Sequence, residues 1–119
     1  MLFFYFIPNC LGKVCFAQTN AAINYQRIKR SGARFFSNRF SCASCHTVRG
    51  TTAHGDVGPD LTHLASRREI GAGTAPNTKG HLAGWIANSQ TLKPGNKMPP
   101  QPLSPDDLQA LVAFLEAGS

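Results

Sequence analysis

The sequence predicts an all-α fold of three to five helices in one small domain. Apolar residues recur at helical spacing in several segments, and stretches rich in glycine and proline separate these segments. The chain has 119 residues, of which 42% are hydrophobic and 15% charged, so it can fold around a modest core. A chain of this size does not hold a multi-domain enzyme. No apolar run approaches the roughly 20 residues that a membrane-spanning helix requires.

The first 27 residues differ from the rest, and we predict a leader and linker at 1–27 that precede a domain at 28–119. Residues 2–7 form a short apolar run, whereas residues 18–26 are polar. A secretory signal has a basic start, an apolar middle and small residues before its cleavage site. The basic start is missing here, although Ala17 could end a cleaved segment. A signal peptide, an artefactual start of a fragment and a short strand or anchor are all open interpretations.

Two helices are predicted in the first part of the domain. The first begins at Ile28, continues into residues 42–46, and has an apolar face at i, i+4, i+7, i+8 and i+12. This face consists of Ile28, Gly32, Phe35, Phe36 and Phe40. A second, short helix is predicted from Leu61 to Arg68, with Asp60 as its N-cap.

Two further helices are predicted in the C-terminal half. The first of these is capped by Asn77 or Thr78, and its apolar positions are Leu82, Trp85 and Ile86. Residues 91–103 contain four prolines and are therefore predicted to be irregular. The last helix has Ser104 as its N-cap, followed by a proline and two aspartates that favour a helix N-terminus, and it ends at Gly118.

The positive charge is concentrated in the first half of the chain. Residues 1–55 contain seven basic residues and no acidic one, and residues 56–119 contain five basic and six acidic residues, so +7 and −1 give the total of +6. A basic region suits nucleic acid, an anionic membrane, an acidic protein or solvent alone. The sequence has no zinc-finger, RNP or helix-turn-helix pattern, so we expect no nucleic-acid partner.

Residues 42–46 have the sequence Cys-Ala-Ser-Cys-His, which is the attachment signature for c-type haem. Two thiols three positions apart at a helix end reach the two vinyl groups of haem, and the adjacent imidazole lies below the iron. We therefore predict thioether bonds from Cys42 and Cys45 and proximal ligation by His46. A zinc or structural module that uses the two cysteines is the alternative, although the other three histidines occur singly and form no second ligand pair.

A second iron ligand is expected downstream, on an irregular segment that can cross the other haem face. Met98 is the only methionine besides Met1, and it lies in the proline-containing segment 93–100. This setting disfavours the usual role of a lone methionine as core filler. We predict that Met98 is the distal ligand. Ligation by a second histidine, and an open axial position as in a haem sensor or peroxidase, are the alternatives.

The segment 58–61, Gly-Pro-Asp-Leu, contains the candidate residue that orients the proximal histidine. A metal-bound imidazole normally donates its second N–H to a fixed acceptor. The Pro59 carbonyl is the candidate acceptor, since a proline turn locks its direction, and Leu61 is predicted to pack on the haem face. An ordinary turn with a helix cap is the alternative interpretation.

The order of these motifs resembles that of class I cytochromes c over about residues 28–118. The segments 57–67, 70–73 and 93–99 are similar to the cytochrome c domain fused to the C-terminus of subunit II in some bacterial haem-copper oxidases. Such a subunit also carries transmembrane helices and a copper-binding cupredoxin domain, which this chain lacks. A stand-alone cytochrome and a fragment of subunit II are therefore both open.

The resemblance implies a class I cytochrome c fold, wrapped around one covalently bound haem c. It implies that Gly32 and Phe36 cross the last helix near Leu111 and Leu115. It also implies that Trp85 lies near the haem propionates. Arg67 could pair with a propionate, although a solvated arginine is the alternative.

The resemblance also implies an electron carrier that is not an enzyme and has no small-molecule substrate. Its expected partners are the copper and haem subunits of a terminal oxidase and an upstream electron donor in a respiratory chain. The expected location is the periplasm or the extracytoplasmic face of a bacterial inner membrane. A basic rim is expected to steer an acidic partner, and its candidates are Arg39, Arg49, Lys93 and Lys97. No role is assigned to Cys10, Cys15 or His63.

Overall fold

Four α-helices make up most of the fold, which confirms the all-α class. The computed structural model describes residues 13–39 and 42–118, with side chains at 24–37 and 42–118. The helices are α1 (Lys13–Arg34), α2 (Cys42–Cys45), α3 (Lys79–Leu92) and α4 (Pro105–Ala117). Two short strands, β1 (Glu69–Ile70) and β2 (Ala75–Pro76), pair antiparallel with Ile70 opposite Ala75. No helix in the described ranges combines the length and the apolarity needed to cross a bilayer.

The first helix is longer at its N-terminus and shorter at its C-terminus than its pattern predicts. Residues 18–26, which belong to the predicted leader and linker, are helical and lie within α1. Their polarity suggested a loop, but α1 contains no proline and no glycine before Gly32, so nothing in the segment breaks a helix. The helix does not continue into residues 42–46, because a π-helical turn at Phe35–Arg39 separates α1 from α2. Of the leader predicted for residues 1–17, residues 13–17 lie in α1, and residues 1–12 lie outside the described residues.

The main helix–helix contact joins the C-terminal part of α1 to α4. Gly32 and Phe36 are buried in it, and the Phe36 ring lies 5.8 Å from the ring of Phe114 at an interplanar angle of 52°. Leu111 and Leu115 of α4 are also buried, as the predicted crossing requires. Ile28 is 44% exposed, so the predicted apolar face is buried only at its C-terminal end.

Gly32 is the closest point of this crossing. A Cβ atom there would overlap the carbonyl oxygen of Ala110 and would lie 2.8 Å from the Cβ of Phe114. Gly32→Ala is therefore expected to lower the free energy of unfolding by about 1–3 kcal/mol, as overpacking of a core does. Urea titration followed by far-UV circular dichroism measures this loss.

Gly84 provides the matched control, since a Cβ atom in its position within α3 meets no atom within 4 Å. Gly84→Ala is expected to leave stability unchanged or to raise it by up to about 1 kcal/mol, because alanine favours the helix. Equal stability losses in the two variants would contradict the proposed close approach at Gly32.

The predicted ends of the two C-terminal helices are confirmed, with one extension. Thr78 is the N-cap of α3, and its Oγ1 accepts from the backbone N of His81 at 3.2 Å. The helix continues to Leu92, slightly beyond the start of the segment predicted to be irregular. Ser104 caps α4 and accepts from the backbone N of Asp107 at 3.1 Å, and Gly118 is the C-cap.

The short helix predicted from Leu61 to Arg68 is wrong, because only a single 3₁₀ turn, Leu64–Ser66, forms there. Asp60 does not cap it. Its Oδ1 instead accepts from the backbone N of Thr62 at 2.8 Å and from the Thr62 hydroxyl at 2.6 Å, which is the local turn that aspartate favours. This turn directs the chain from Pro59 into the core.

Candidate functional site

A cavity of about 460 Å³ lies at the centre of the domain, between α2, α3, α4 and the loops that join them. All eight residues that the sequence predicted for the site line this cavity. They are Cys42, Cys45, His46, Pro59, Leu61, Arg67, Trp85 and Met98. Its walls also include seven buried apolar residues: Phe36, Leu64, Ile70, Leu82, Ile86, Leu111 and Leu115.

The two cysteines and the histidine are positioned by the single turn of α2. The backbone N of His46 donates to the Cys42 carbonyl at 2.9 Å, which places the histidine directly after the turn. Both cysteines are free thiols. Burial raises the pKa of the Cys42 thiol above its ordinary value, a backbone hydrogen bond partly opposes this, and the nearby Cys45 raises the pKa further.

The ring of His46 is oriented by the carbonyl predicted from the sequence. Nδ1 of His46 donates to the Pro59 carbonyl at 2.7 Å. In a neutral imidazole this places the proton on Nδ1 and leaves the lone pair of Nε2 available to a metal. The hydrogen bond also fixes the ring plane, as outer-shell acceptors do for histidine ligands.

Two glycines, to which sequence reasoning gave no role at the site, allow the chain to pass close to this turn. A Cβ atom on Gly58 would lie 2.6 Å from Cε1 of His46, and one on Gly55 would lie 2.6 Å from the backbone N of Cys45. The backbone N of Gly58 donates to the Cys45 carbonyl at 2.6 Å. The segment before Pro59 thus forms a close-fitting support for the histidine ring. The only sequence signal for it is the glycine directly before the proline.

The C-terminal half of the chain contributes Trp85 and Met98 to the cavity. Trp85 lies on α3 and contacts the turn between β1 and β2. Gly71 in that turn has φ of +63°, and a Cβ atom there would lie 2.6 Å from Cζ3 of Trp85, so the turn requires glycine. Met98 is half-buried and comes from the loop between α3 and α4.

Arg67 and His63 have contacts of a different kind. Nη2 of Arg67 donates to the Asp60 carbonyl at 2.8 Å, so this guanidinium braces the turn after Pro59 while it lines the cavity. His63 is not among the cavity-lining residues, and its Nε2 accepts from Nη2 of Arg49 at 2.7 Å. His63 therefore belongs to the outer surface of this turn.

The predicted basic rim is only partly gathered at the cavity. Lys97 lines the cavity, and Nζ of Lys93 donates to the Gly71 carbonyl at 3.2 Å. Arg49 is exposed and contacts His63. The side chain of Arg39 and the whole of Phe40 lie outside the described residues.

The carboxylate of Asp60 makes the stability of this turn depend on pH. The two hydrogen bonds from Thr62 lower the pKa of Asp60 below its ordinary value of 3.8, and Arg49 and His63 lower it slightly further. A carboxyl whose pKa is lowered by folding stabilises the native state above its unfolded pKa, and that contribution is lost as the pH falls through the folded pKa.

We therefore expect Asp60→Ala to be less stable than the natural chain at neutral pH, with a difference that shrinks below about pH 4. Urea midpoints measured between pH 2.5 and 7 give this profile. Asp60→Asn retains an acceptor oxygen but cannot ionise, so its stability relative to Asp60→Ala is expected to change little with pH. A difference between the natural chain and Asp60→Ala that grows on acidification would contradict this assignment.

The zinc alternative finds no ligand set in the described part of the chain. Within residues 13–39 and 42–118, no three His, Cys, Asp or Glu side chains are grouped so that they could hold a metal ion. A structural zinc site requires four such ligands.

Comparison with known proteins gives a consistent result. The Cytochrome c family model matches residues 30–119. Cytochrome c oxidase subunit 2 of Alkalihalophilus pseudofirmus is 37% identical over 93 residues, which cover 77% of this chain and 26% of that protein. The chain therefore spans about a quarter of the length of this relative.

A solved structure has the same fold. The crystal structure of the c-type cytochrome SorU from Sinorhizobium meliloti matches with a TM-score of 0.55 at 20% identity, and the match covers 76% of this chain and 90% of that one. Together with the family match over most of the sequence, this shows that the chain belongs to the cytochrome c family, whose domains bind haem c covalently and transfer electrons.

Proposed function

We propose that this chain is a one-electron carrier with a single haem c, attached through Cys42 and Cys45 and ligated by His46 and Met98. The observation that carries the proposal is that all four residues line one cavity whose walls are mostly apolar. The residues fit the group chemically, since two thiols share one helical turn and an imidazole and a thioether reach the cavity from different segments. When bound, haem would supply an iron that accepts and releases one electron.

The chain's own side chains are proposed to set the properties of that iron. The hydrogen bond from His46 to the Pro59 carbonyl increases the basicity of the imidazole and prevents its rotation. The thioether of Met98 is a soft ligand that raises the reduction potential. Walls formed by Leu61, Trp85 and the buried apolar residues exclude water, which raises the potential further. With His46 and Met98 both holding the iron, no position would be open to a substrate.

A role in a respiratory chain is the finer part of the proposal. The similarity to the oxidase subunit 2 supports electron delivery to the copper and haem subunits of a terminal oxidase from an upstream donor. Because haem c is attached outside the cytoplasm, we place the protein in the periplasm or on the extracytoplasmic face of the inner membrane. Lys97 at the cavity and Lys93, which contacts the cavity-lining Gly71, would attract an acidic partner.

The decisive experiment is expression of the full chain with a c-haem maturation system, followed by pyridine haemochrome analysis and a potentiometric titration. We expect one haem per chain, an absorption band of ferric iron–methionine bonding, and a one-electron transition. A colourless product that contains zinc would overturn the proposal. A ferrous protein that binds carbon monoxide at once would favour the haem sensor with an open axial position instead.

Electron delivery is tested separately by stopped-flow oxidation of the reduced protein with a purified haem-copper oxidase. We expect the rate to fall as ionic strength rises, because charge steers the encounter. A rate that does not depend on salt would exclude the steering role of the basic rim while leaving haem binding unaffected.

A further inference from the structure

Ser89 on α3 is the one buried polar side chain within the described part of the protein, with 0% of its surface exposed. A hydroxyl is buried at a cost unless it is hydrogen-bonded. Its Oγ lies 2.9 Å from the Met98 carbonyl and 3.1 Å from Oδ1 of Asn96. Since a serine has one hydroxyl proton, the two acceptors share it. The buried hydroxyl is thus directed entirely at the loop that carries Met98.

Both backbone groups of Met98 are held by this arrangement. Its N–H donates to Oδ1 of Asn96 at 2.8 Å, and its carbonyl accepts from Ser89 and, at 3.2 Å, from Nε2 of Gln90. Gln90 also donates to the Asn96 carbonyl at 2.8 Å and accepts from the backbone N of Gly95 at 2.9 Å. Two adjacent side chains of α3 therefore form a clamp that holds the loop at Met98 and just before it, at Gly95 and Asn96.

An interruption of α3 completes the clamp. Asn88 has φ of −160° and ψ of 88°, so the helical path breaks there. The Ala87 carbonyl accepts from the backbone N of Gln101 at 3.2 Å, and Oδ1 of Asn88 accepts from the backbone N of Gln90 at 3.1 Å. The far end of the Met98 loop is thereby tied to the same helix that supplies Trp85 to the cavity wall.

We propose that Ser89, assisted by Gln90, is a positioning residue that determines how firmly Met98 is kept at the distal iron position. The inference rests on the proposed ligation by Met98. Hydrogen bonds to the backbone of the Met98 loop would keep the thioether at the iron. Another ligand would then find no open coordination position. Loosening the clamp would therefore ease the replacement of Met98 by an external ligand, while the thioether bonds retain the haem.

Imidazole binding to the ferric protein tests this proposal, because imidazole can bind only where the methionine leaves. We expect Ser89→Ala to raise the affinity for imidazole about tenfold, since loss of one buried hydrogen bond corresponds to roughly that factor. Gln90→Leu removes three hydrogen bonds to the loop and is expected to raise the affinity at least as much. The titration is followed by the loss of the iron–methionine band. Val112→Ala is the control, because Val112 is 2% exposed in α4 and does not line the cavity. It is expected to lower stability and to change imidazole affinity by less than twofold.

A double-mutant cycle with Met98→Ala separates positioning from general loosening. If Ser89 acts through Met98, then Ser89→Ala is expected to change imidazole affinity by less than twofold in the Met98→Ala background. A tenfold effect that persists there, or an increase as large in Val112→Ala, would overturn the inference. A natural chain that has the iron–methionine band while Ser89→Ala binds imidazole no better would overturn it as well. A natural chain without that band would instead contradict the proposed ligation itself.

Discussion

Replacement of Cys42 and Cys45 together by serine is expected to abolish covalent haem attachment and to leave a chain without a stable fold. Serine has almost the same size as cysteine, but its hydroxyl does not form a thioether with a vinyl group. Retention of haem would then depend on the axial ligands alone. This is the largest effect that we expect from any change in the chain.

The loss of the fold follows from the position of the cavity within the core. Twelve hydrophobic residues are buried in the described part of the chain, and seven of them line the cavity. More than half of the core therefore faces the space that the haem is proposed to fill. An unfilled cavity costs about 24 cal/mol per Å³, so about 460 Å³ left empty would cost on the order of 10 kcal/mol. A small domain is stable by only about 5–15 kcal/mol in total, so an empty cavity of this size removes much or all of that margin.

The measurements are haem staining after denaturing electrophoresis and far-UV circular dichroism during thermal unfolding. The natural chain is expected to stain and to unfold cooperatively, whereas Cys42→Ser/Cys45→Ser is expected neither to stain nor to show a cooperative transition. Cys10→Ser/Cys15→Ser is the control, and it is expected to retain the haem. A cooperative, haem-free Cys42→Ser/Cys45→Ser protein as stable as the natural chain would show that the cavity is not completed by a covalent group.

The features that could be predicted from the sequence depend on short stretches of chain. The caps at Thr78 and Ser104 are local, because each hydroxyl accepts from a backbone N three residues ahead. The hydrogen bond from His46 to Pro59 spans only 13 residues and follows from the general need of a metal-bound imidazole for an acceptor. For such features the residue types and their spacing are sufficient to predict the hydrogen bond.

The features that were missed depend on what a residue meets elsewhere in the fold. The need for glycine at position 58 follows from the ring of His46, which lies against it in the fold. The hydrogen bond of Ser89 to the Met98 carbonyl forms only because the Met98 loop returns to α3. A serine inside a helical pattern gives no sign of being buried. The N-terminal extent of α1 was missed for another reason. Residues 18–26 are polar, which favoured a linker, although they contain no helix breaker and lie within the helix.

Replacement of Met98 by alanine or leucine is expected to remove the iron–methionine band and to lower the reduction potential by a few hundred millivolts. Axial ligands shift haem potentials over a range of about 0.8 V, and a thioether lies toward its upper end. The haem content is expected to stay at one per chain, because Cys42 and Cys45 hold the group independently of the distal ligand. The measurements are the ferric absorption spectrum and a potentiometric titration.

The leucine variant distinguishes ligation from packing. Leucine and methionine have similar volumes, so Met98→Leu fills the same space without a sulfur atom. If Met98 only packed, the leucine variant would keep the natural potential and spectrum, and only the alanine variant would change. If Met98 is the ligand, both variants lose the band, and both bind carbon monoxide in the ferrous state. A natural chain that lacks the band, together with a potential that is unchanged in both variants, would direct the search for the distal ligand to His54, His63 and His81, all of which are exposed. Ligation by any of them would require the chain to rearrange, because none lines the cavity. We therefore propose Met98 as the distal ligand, because it lines the cavity and the three histidines do not.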